Sequence, residues 1–133
     1  MFSRLDVTKF LDTQRLVWFG LFVALLLSCG KPLPVLDNID IEKWKEDKAG
    51  CSLVRKALLD QLDQQREKIK SLSQSEVVEL LGRPDKNELL KRNQKFFYYF
   101  LEPGPTCPNG NPEFKKLMIR FNAIGLAKEV SIE

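Results

Sequence analysis

Three kinds of hydrophobic spacing divide the chain. Leu16 to Leu27 is an unbroken uncharged run. From Ser52 to Leu81 apolar residues recur every three or four positions, and from Phe96 onward they largely alternate with polar ones. In the helical part, Val54, Leu58, Leu62 and Ile69 fall on one face, broadened by Leu53, Ala57 and Leu59, which predicts a helix from Ser52 to about Lys70. Lys56–Asp60, Asp63–Arg66 and Glu67–Lys70 are spaced to pair on its solvated side. Ser73 and Glu76 form a capping box, with Leu72 and Val77 at the two positions of a hydrophobic staple, so a second helix is predicted to start there. Val77, Leu80 and Leu81 give it an apolar stripe. Gly82 suits a left-handed C′ position, and Pro84 forbids continuation.

About ten polar residues then lead to an aromatic run, and Phe96 to Leu101 reads as a buried strand. The loop from Glu102 to Pro112 is rich in turn formers. Phe114 to Phe121 alternates, with Leu117, Ile119 and Phe121 on one face and Lys116, Met118 and Arg120 on the other. Asn122 to Gly125 reads as a hairpin turn. Beyond it, Leu126, Val130 and Ile132 share a face with Lys128, opposite Ala127, Glu129 and Ser131. The predicted class is therefore α+β: two N-terminal helices followed by a three-stranded antiparallel meander, covered by the helices on one face. The first strand is aromatic on both sides, Phe96, Tyr98 and Phe100 against Phe97, Tyr99 and Leu101. One set is expected to stay partly uncovered, giving a candidate partner-binding patch of Tyr98 or Tyr99 with Met118 and Arg120, the residue types that interface centres favour. The competing expectation is that an arm or loop covers that set as a second small core.

The apolar run at the amino terminus changes the picture of where the domain works. Its twelve residues would span about 18 Å as a helix, short of a hydrocarbon core of about 30 Å. With Arg4, Lys9 and Arg15 ahead of it, residues 1–28 read as a signal peptide. The run closes on Leu26-Leu27-Ser28-Cys29, which resembles the bacterial lipobox and implies cleavage before Cys29 and lipidation of its sulfur. Two or three acyl chains would hold the protein to a bilayer almost permanently. Gly30 after the cysteine favours the outer membrane under the enteric sorting rule. Residues 29–36, with Lys31-Pro-Leu-Pro34, form a short stiff tether. The domain proper is expected at 37–133, beginning with an arm, residues 37–50, that packs Trp44 on the body.

Composition narrows the chemistry. The 133 residues allow one domain. Removing residues 1–28 leaves 105 residues with 18 basic and 16 acidic side chains, too balanced for nucleic acid. There is no histidine, the commonest general base and metal ligand. Ser73 is better used as a cap than as a nucleophile, and Asp37, Asp40 and Glu42 lack calcium-loop spacing. Cys51 and Cys107 are too few for a four-ligand zinc site and, in an envelope protein, point to a disulfide. Neither a cofactor nor a metal is expected, and the chain does not read as an enzyme.

The helix ending in VVELLGRPD (77–85), the aromatic strand FFYYF (96–100) and the segment MIRFNAIGLAKEV (118–130) together resemble the SmpA/OmlA (BamE-like) family of small outer-membrane lipoproteins. Phe97-x-Tyr99 stands where that family usually has Trp-x-Tyr. The resemblance covers roughly residues 72–133. It implies an ααβββ fold, also found in β-lactamase-inhibitor-like proteins, and a role as accessory subunit of the machinery that inserts β-barrel proteins. The expected function is thus a membrane-anchored, non-enzymatic protein-interaction module. The alternative is a binding or inhibitor module of the same fold acting on a soluble envelope or extracellular protein.

Overall fold

The computed structural model describes residues 11–20 and 30–133, which divide into two units, Met1–Pro32 and Leu33–Glu133. In the first, residues 11–20 are helical and exposed. Cys29 and most of the signal segment lie outside the described residues. Among the described residues no helix is long and apolar enough to cross a membrane.

The second unit runs α1 (Ile41–Glu46), α2 (Val54–Ala57), α3 (Leu59–Gln65), α4 (Gln74–Leu81), then β1 (Lys86–Leu90), β2 (Gln94–Phe100), β3 (Lys116–Phe121) and β4 (Ala127–Ile132). Helix α4 forms as its local signals dictate. The Ser73 hydroxyl accepts the Glu76 N–H at 3.3 Å and the Glu76 carboxylate accepts the Ser73 N–H at 2.7 Å, while Val77, Leu80 and Leu81 are buried. Gly82 ends it with φ 82° and ψ −175°. This is not the expected left-handed turn but an extended positive-φ conformation that is essentially restricted to glycine.

The helix expected over 52–70 is broken. Leu53 takes a φ of 64°, α2 and α3 are separated at Leu58, and Arg66–Ile69 tightens into a 3-10 turn. The face that goes inward is set by Arg55, Leu62 and Ile69, three buried residues spaced by seven. Arg55 enters because partners await it. Its N–H donates to the Asp47 carboxylate at 2.9 Å, Nε to the Trp44 carbonyl at 3.1 Å, and Nη1 to Asp85 at 2.6 Å and to the Phe100 carbonyl at 3.2 Å. Its guanidinium also lies 4.8 Å from the Trp44 ring centre. Trp44, on α1, is fully buried and donates its indole N–H to the Leu81 carbonyl at 3.0 Å, so the arm is stitched to the end of α4. The end of the expected tether joins it, with Leu36 buried and Leu33 packed against the core.

The sheet has four antiparallel strands in the order β1-β2-β3-β4, not three. The extra strand is Lys86-Asn-Glu-Leu-Leu90, in the stretch that reads as a polar connection. It joins β2 through a hairpin closed by Lys91-Arg92-Asn93, with Arg92 and Asn93 at positive φ. As an edge strand with four of its five residues exposed, it has no buried face to impose alternation. The core lies between the helices and the inner face of the sheet, where Phe97, Tyr99, Leu101, Leu117, Ile119, Phe121 and Val130 are buried. A bulge at Arg120/Phe121 shifts the register of β4. It turns Ala127 inward opposite Phe121, whereas alternation had placed Ala127 with Glu129 and Ser131.

Candidate functional site

Which side of β2 faces outward follows from its register. Phe97 pairs with Ile119 and Tyr99 with Leu117, so those two aromatics share the helix-covered face. Tyr99 is fully buried, and its hydroxyl donates to the Gly82 carbonyl at 2.8 Å. Burial, reinforced by the Asp85 charge and opposed by Arg55, holds its phenol well above the ordinary tyrosine range. Tyr99 is thereby removed from the candidate surface. Tyr98, paired with Met118, and Phe96, paired with Arg120, occupy the outer face and are half-buried.

The outer patch differs from its expected form at two further residues. Met118 is only 6% exposed, because it sits in mid-sheet between its cross-strand neighbours Tyr98 and Ser131, where an unbranched side chain lies low. Arg120 is engaged with Glu129 across β4 at 2.9 Å. The loop after β2 also covers part of this face: Phe114 packs edge-on against Phe100, ring centres 4.6 Å apart, and Phe100 is 9% exposed. Both expectations for the aromatic strand are therefore met in part, at opposite ends of it.

Where the cover stops, a groove of about 350 Å³ opens, with Tyr98 and Phe100 as its floor. Lys86 and Glu88 of β1 form one side, and Lys116, Pro105 and Phe114 the other. The Lys116 ammonium stands 5.1 Å and that of Lys86 6.0 Å from the Tyr98 ring centre. Lys86 pairs with Glu88 at 2.5 Å, and the Tyr98 hydroxyl donates to Glu88 at 3.3 Å. The hydrogen bond from Lys86 is the main reason the Glu88 carboxyl is held below its usual range. Partial burial, then the Glu88 charge, raises the Tyr98 phenol. Phe96 stacks on Tyr98 with ring centres 6.3 Å apart and extends the aromatic floor along the strand. Such a groove offers aromatic faces to an apolar side chain and ammonium groups to a carboxylate beside it.

Of these residues, the sequence points to Tyr98 and, through alternation, to Phe96 and Phe100. Lys86 and Glu88 escape it because their strand does. The remaining candidates lie elsewhere. Cys51 and Cys107 are joined as a disulfide, with Cα atoms 5.5 Å apart, which ties the start of the helical segment to the loop that carries Pro105 and Phe114. Gly50 beside it, at φ 70°, lies so close to the end of β2 that a Cβ would stand 2.7 Å from the Glu102 carbonyl oxygen and 3.0 Å from that of Phe100. Among the described residues no group of three or more potential ligands is placed to hold a metal ion. Comparison of the chain with protein-family models, with curated proteins and with solved structures finds no match in any of the three.

Proposed function

We propose that this chain is a membrane-anchored, non-enzymatic envelope lipoprotein whose α+β domain is a protein-interaction module, with the outer face of its sheet as the contact surface. The observation that carries the reading is the groove over Tyr98 and Phe100, flanked by Lys86 and Lys116. An aromatic floor of half-buried Tyr98 and buried Phe100 inside a charged rim is the arrangement of an interface centre and its border rather than of a solvated sheet face. The Leu26-Leu27-Ser28-Cys29 sequence supports lipidation at Cys29 and, with Gly30, an outer-membrane location. Likeness of the 77–85, 96–100 and 118–130 segments to the SmpA/OmlA family supports a partner in the β-barrel assembly machinery.

In-cell crosslinking with mass spectrometry would identify the partner, and pull-downs with two tyrosine variants would locate the surface. Tyr98→Ala is expected to weaken binding by about 2 kcal/mol, roughly thirtyfold, with thermal stability largely kept. Tyr99→Ala is expected to lose stability instead. Retained binding by folded Tyr98→Ala protein would overturn the surface assignment. Cys29→Ala is expected to take up no labelled palmitate and to leave the membrane fraction; unchanged fractionation, with no lipid on the unaltered protein, would overturn the anchor.

A further inference from the structure

The turn that ends α4 carries a second concentration of charge, which shares no lining residue with the aromatic groove. Gly82-Arg83-Pro84-Asp85 faces the last turn of α1 and the 3-10 turn Lys48–Gly50, and a cleft of about 400 Å³ lies between them. Lys45, Lys48, Arg83 and Arg55 line it, against a single carboxylate, Asp85. That carboxylate is already engaged. One oxygen accepts the Ala49 N–H at 2.9 Å, and the other accepts the Phe100 N–H at 2.7 Å and Arg55 Nη1. Lys45, Lys48 and Arg83 are in no ion pair among the described residues. Lys45 is held at the cleft because Gly82 has no side chain: a Cβ there would stand 3.1 Å from Lys45 Cγ.

The floor of the cleft supplies an independent observation. Arg55 is 2% exposed, and the hydrogen bonds of its side chain to the fold use only Nε and Nη1. Nη2 has no acceptor among the described residues, and it is not one of the polar atoms sealed from solvent without a partner. A buried guanidinium with one donor group unused therefore lines a cleft rimmed by three unpaired cations. Four positive groups against one neutralised carboxylate leave a net charge of +3.

We infer that this cleft binds a phosphate-bearing anion. A lone carboxylate, with one charge, would leave most of that positive field unmet, whereas a phosphate monoester carries about −1.5 to −2 and three acceptor oxygens for the ammonium, guanidinium and Nη2 donors. The Pro84 and Leu81 side of the cleft leaves room for whatever carries the phosphate. The phosphate is either free in solution or the headgroup of a lipid, and the chemistry of recognition is the same.

The test uses the full chain in a non-ionic detergent, titrated calorimetrically with sodium pyrophosphate at fixed ionic strength. Saturable one-to-one binding is expected. The Lys48→Gln/Arg83→Gln double variant, at exposed positions that the core does not need, should weaken it at least about tenfold, since each lost charge-assisted bond counts for more than a neutral one. Lys128→Gln, on β4 and outside the cleft, should leave it unchanged. Mixed micelles doped with phosphatidic acid separate the two sources: competition with pyrophosphate assigns the site to a headgroup as well, and failure to compete restricts it to soluble phosphates. Lack of saturable binding to either probe, or equal weakening by Lys128→Gln, would overturn the inference.

Discussion

Replacing Asp85 by Ala tests whether the charged cluster holds the helices to the sheet. The Asp85 carboxylate binds three partners from three segments: the Ala49 N–H, the Phe100 N–H and Arg55 Nη1. Removing one member of a buried pair costs about 3–5 kcal/mol, most of it from the stranded partner charge. Arg55, at 2% exposure, packs its guanidinium against Trp44 and Tyr99, so only its edge at the neighbouring cleft can regain hydration without unpacking. Two backbone N–H groups also lose their acceptor, at about 1–3 kcal/mol each if they stay dry. The Asp85 side chain is 10% exposed, so water can replace part of what is lost, and the terms do not add. About 4 kcal/mol is the expected loss, a large share of the roughly 5–15 kcal/mol that a domain has. Urea unfolding of the oxidised protein measures it, with an unchanged m-value showing that the folded state is otherwise kept. A double-mutant cycle with Arg55→Met adds the coupling, expected at about 2 kcal/mol. A loss under about 1 kcal/mol, or additivity of the two substitutions within about 0.5 kcal/mol, would refute the reasoning.

Tyr99 gives a pH signature. Its folded-state ionisation lies above that of a free phenol, so the stability it contributes is complete below about pH 10 and is lost as pH rises through the folded value. Alkaline titration of tyrosinate absorbance should therefore show one of the two tyrosines ionising only as the far-UV circular dichroism collapses; both ionising in folded protein would count against it. Free-thiol labelling of denatured, unreduced protein should find neither Cys51 nor Cys107, and reduction should destabilise the domain by up to about 4 kcal/mol for a bridge across 56 positions. Labelling of both would exclude the bond. Gly50→Ala should cost about 2 kcal/mol or more, because a positive φ and a carbonyl 2.7 Å from the new Cβ act together. Gly125→Ala, with only the Gln74 amide 3.4 Å away, should cost less, and equal melting temperatures for the two would contradict the packing.

What the sequence disclosed was what local rules control. The capping box at Ser73 and the stop at Gly82 and Pro84 act over a few residues, and α4 appears where they place it. Strands β2, β3 and β4 were legible because one face of each is buried, which forces apolar residues into register. Strand β1 has solvent on both sides, and its turn uses Arg92 and Asn93 at positive φ with no glycine to announce it. Arg55 was hidden for a different reason: beside Lys56 in a helical segment it reads as solvated, and its partner Asp85 lies thirty positions away, where no spacing rule links them. The groove inherits both limits. Tyr98 and Phe100 could be read, Lys86 and Glu88 could not, and the choice between Tyr98 and Tyr99 depended on which side of the sheet the helices take.

The disulfide has a consequence for the groove as well as for the fold. Fifteen residues connect β2 to β3, and they carry Pro105 and Phe114, which with Lys116 of β3 make up one wall of the groove. A connection of that length with no regular structure would sample many shapes, and a partner would have to select one of them. Cys107 divides it into spans of six and eight residues and fastens the division point beside Gly50 on the helical side. The wall is set before any partner arrives, so little ordering entropy remains to be lost on binding. Oxidation of one thiol in the helical segment and one in this loop thus determines how rigid a surface the far side of the sheet presents.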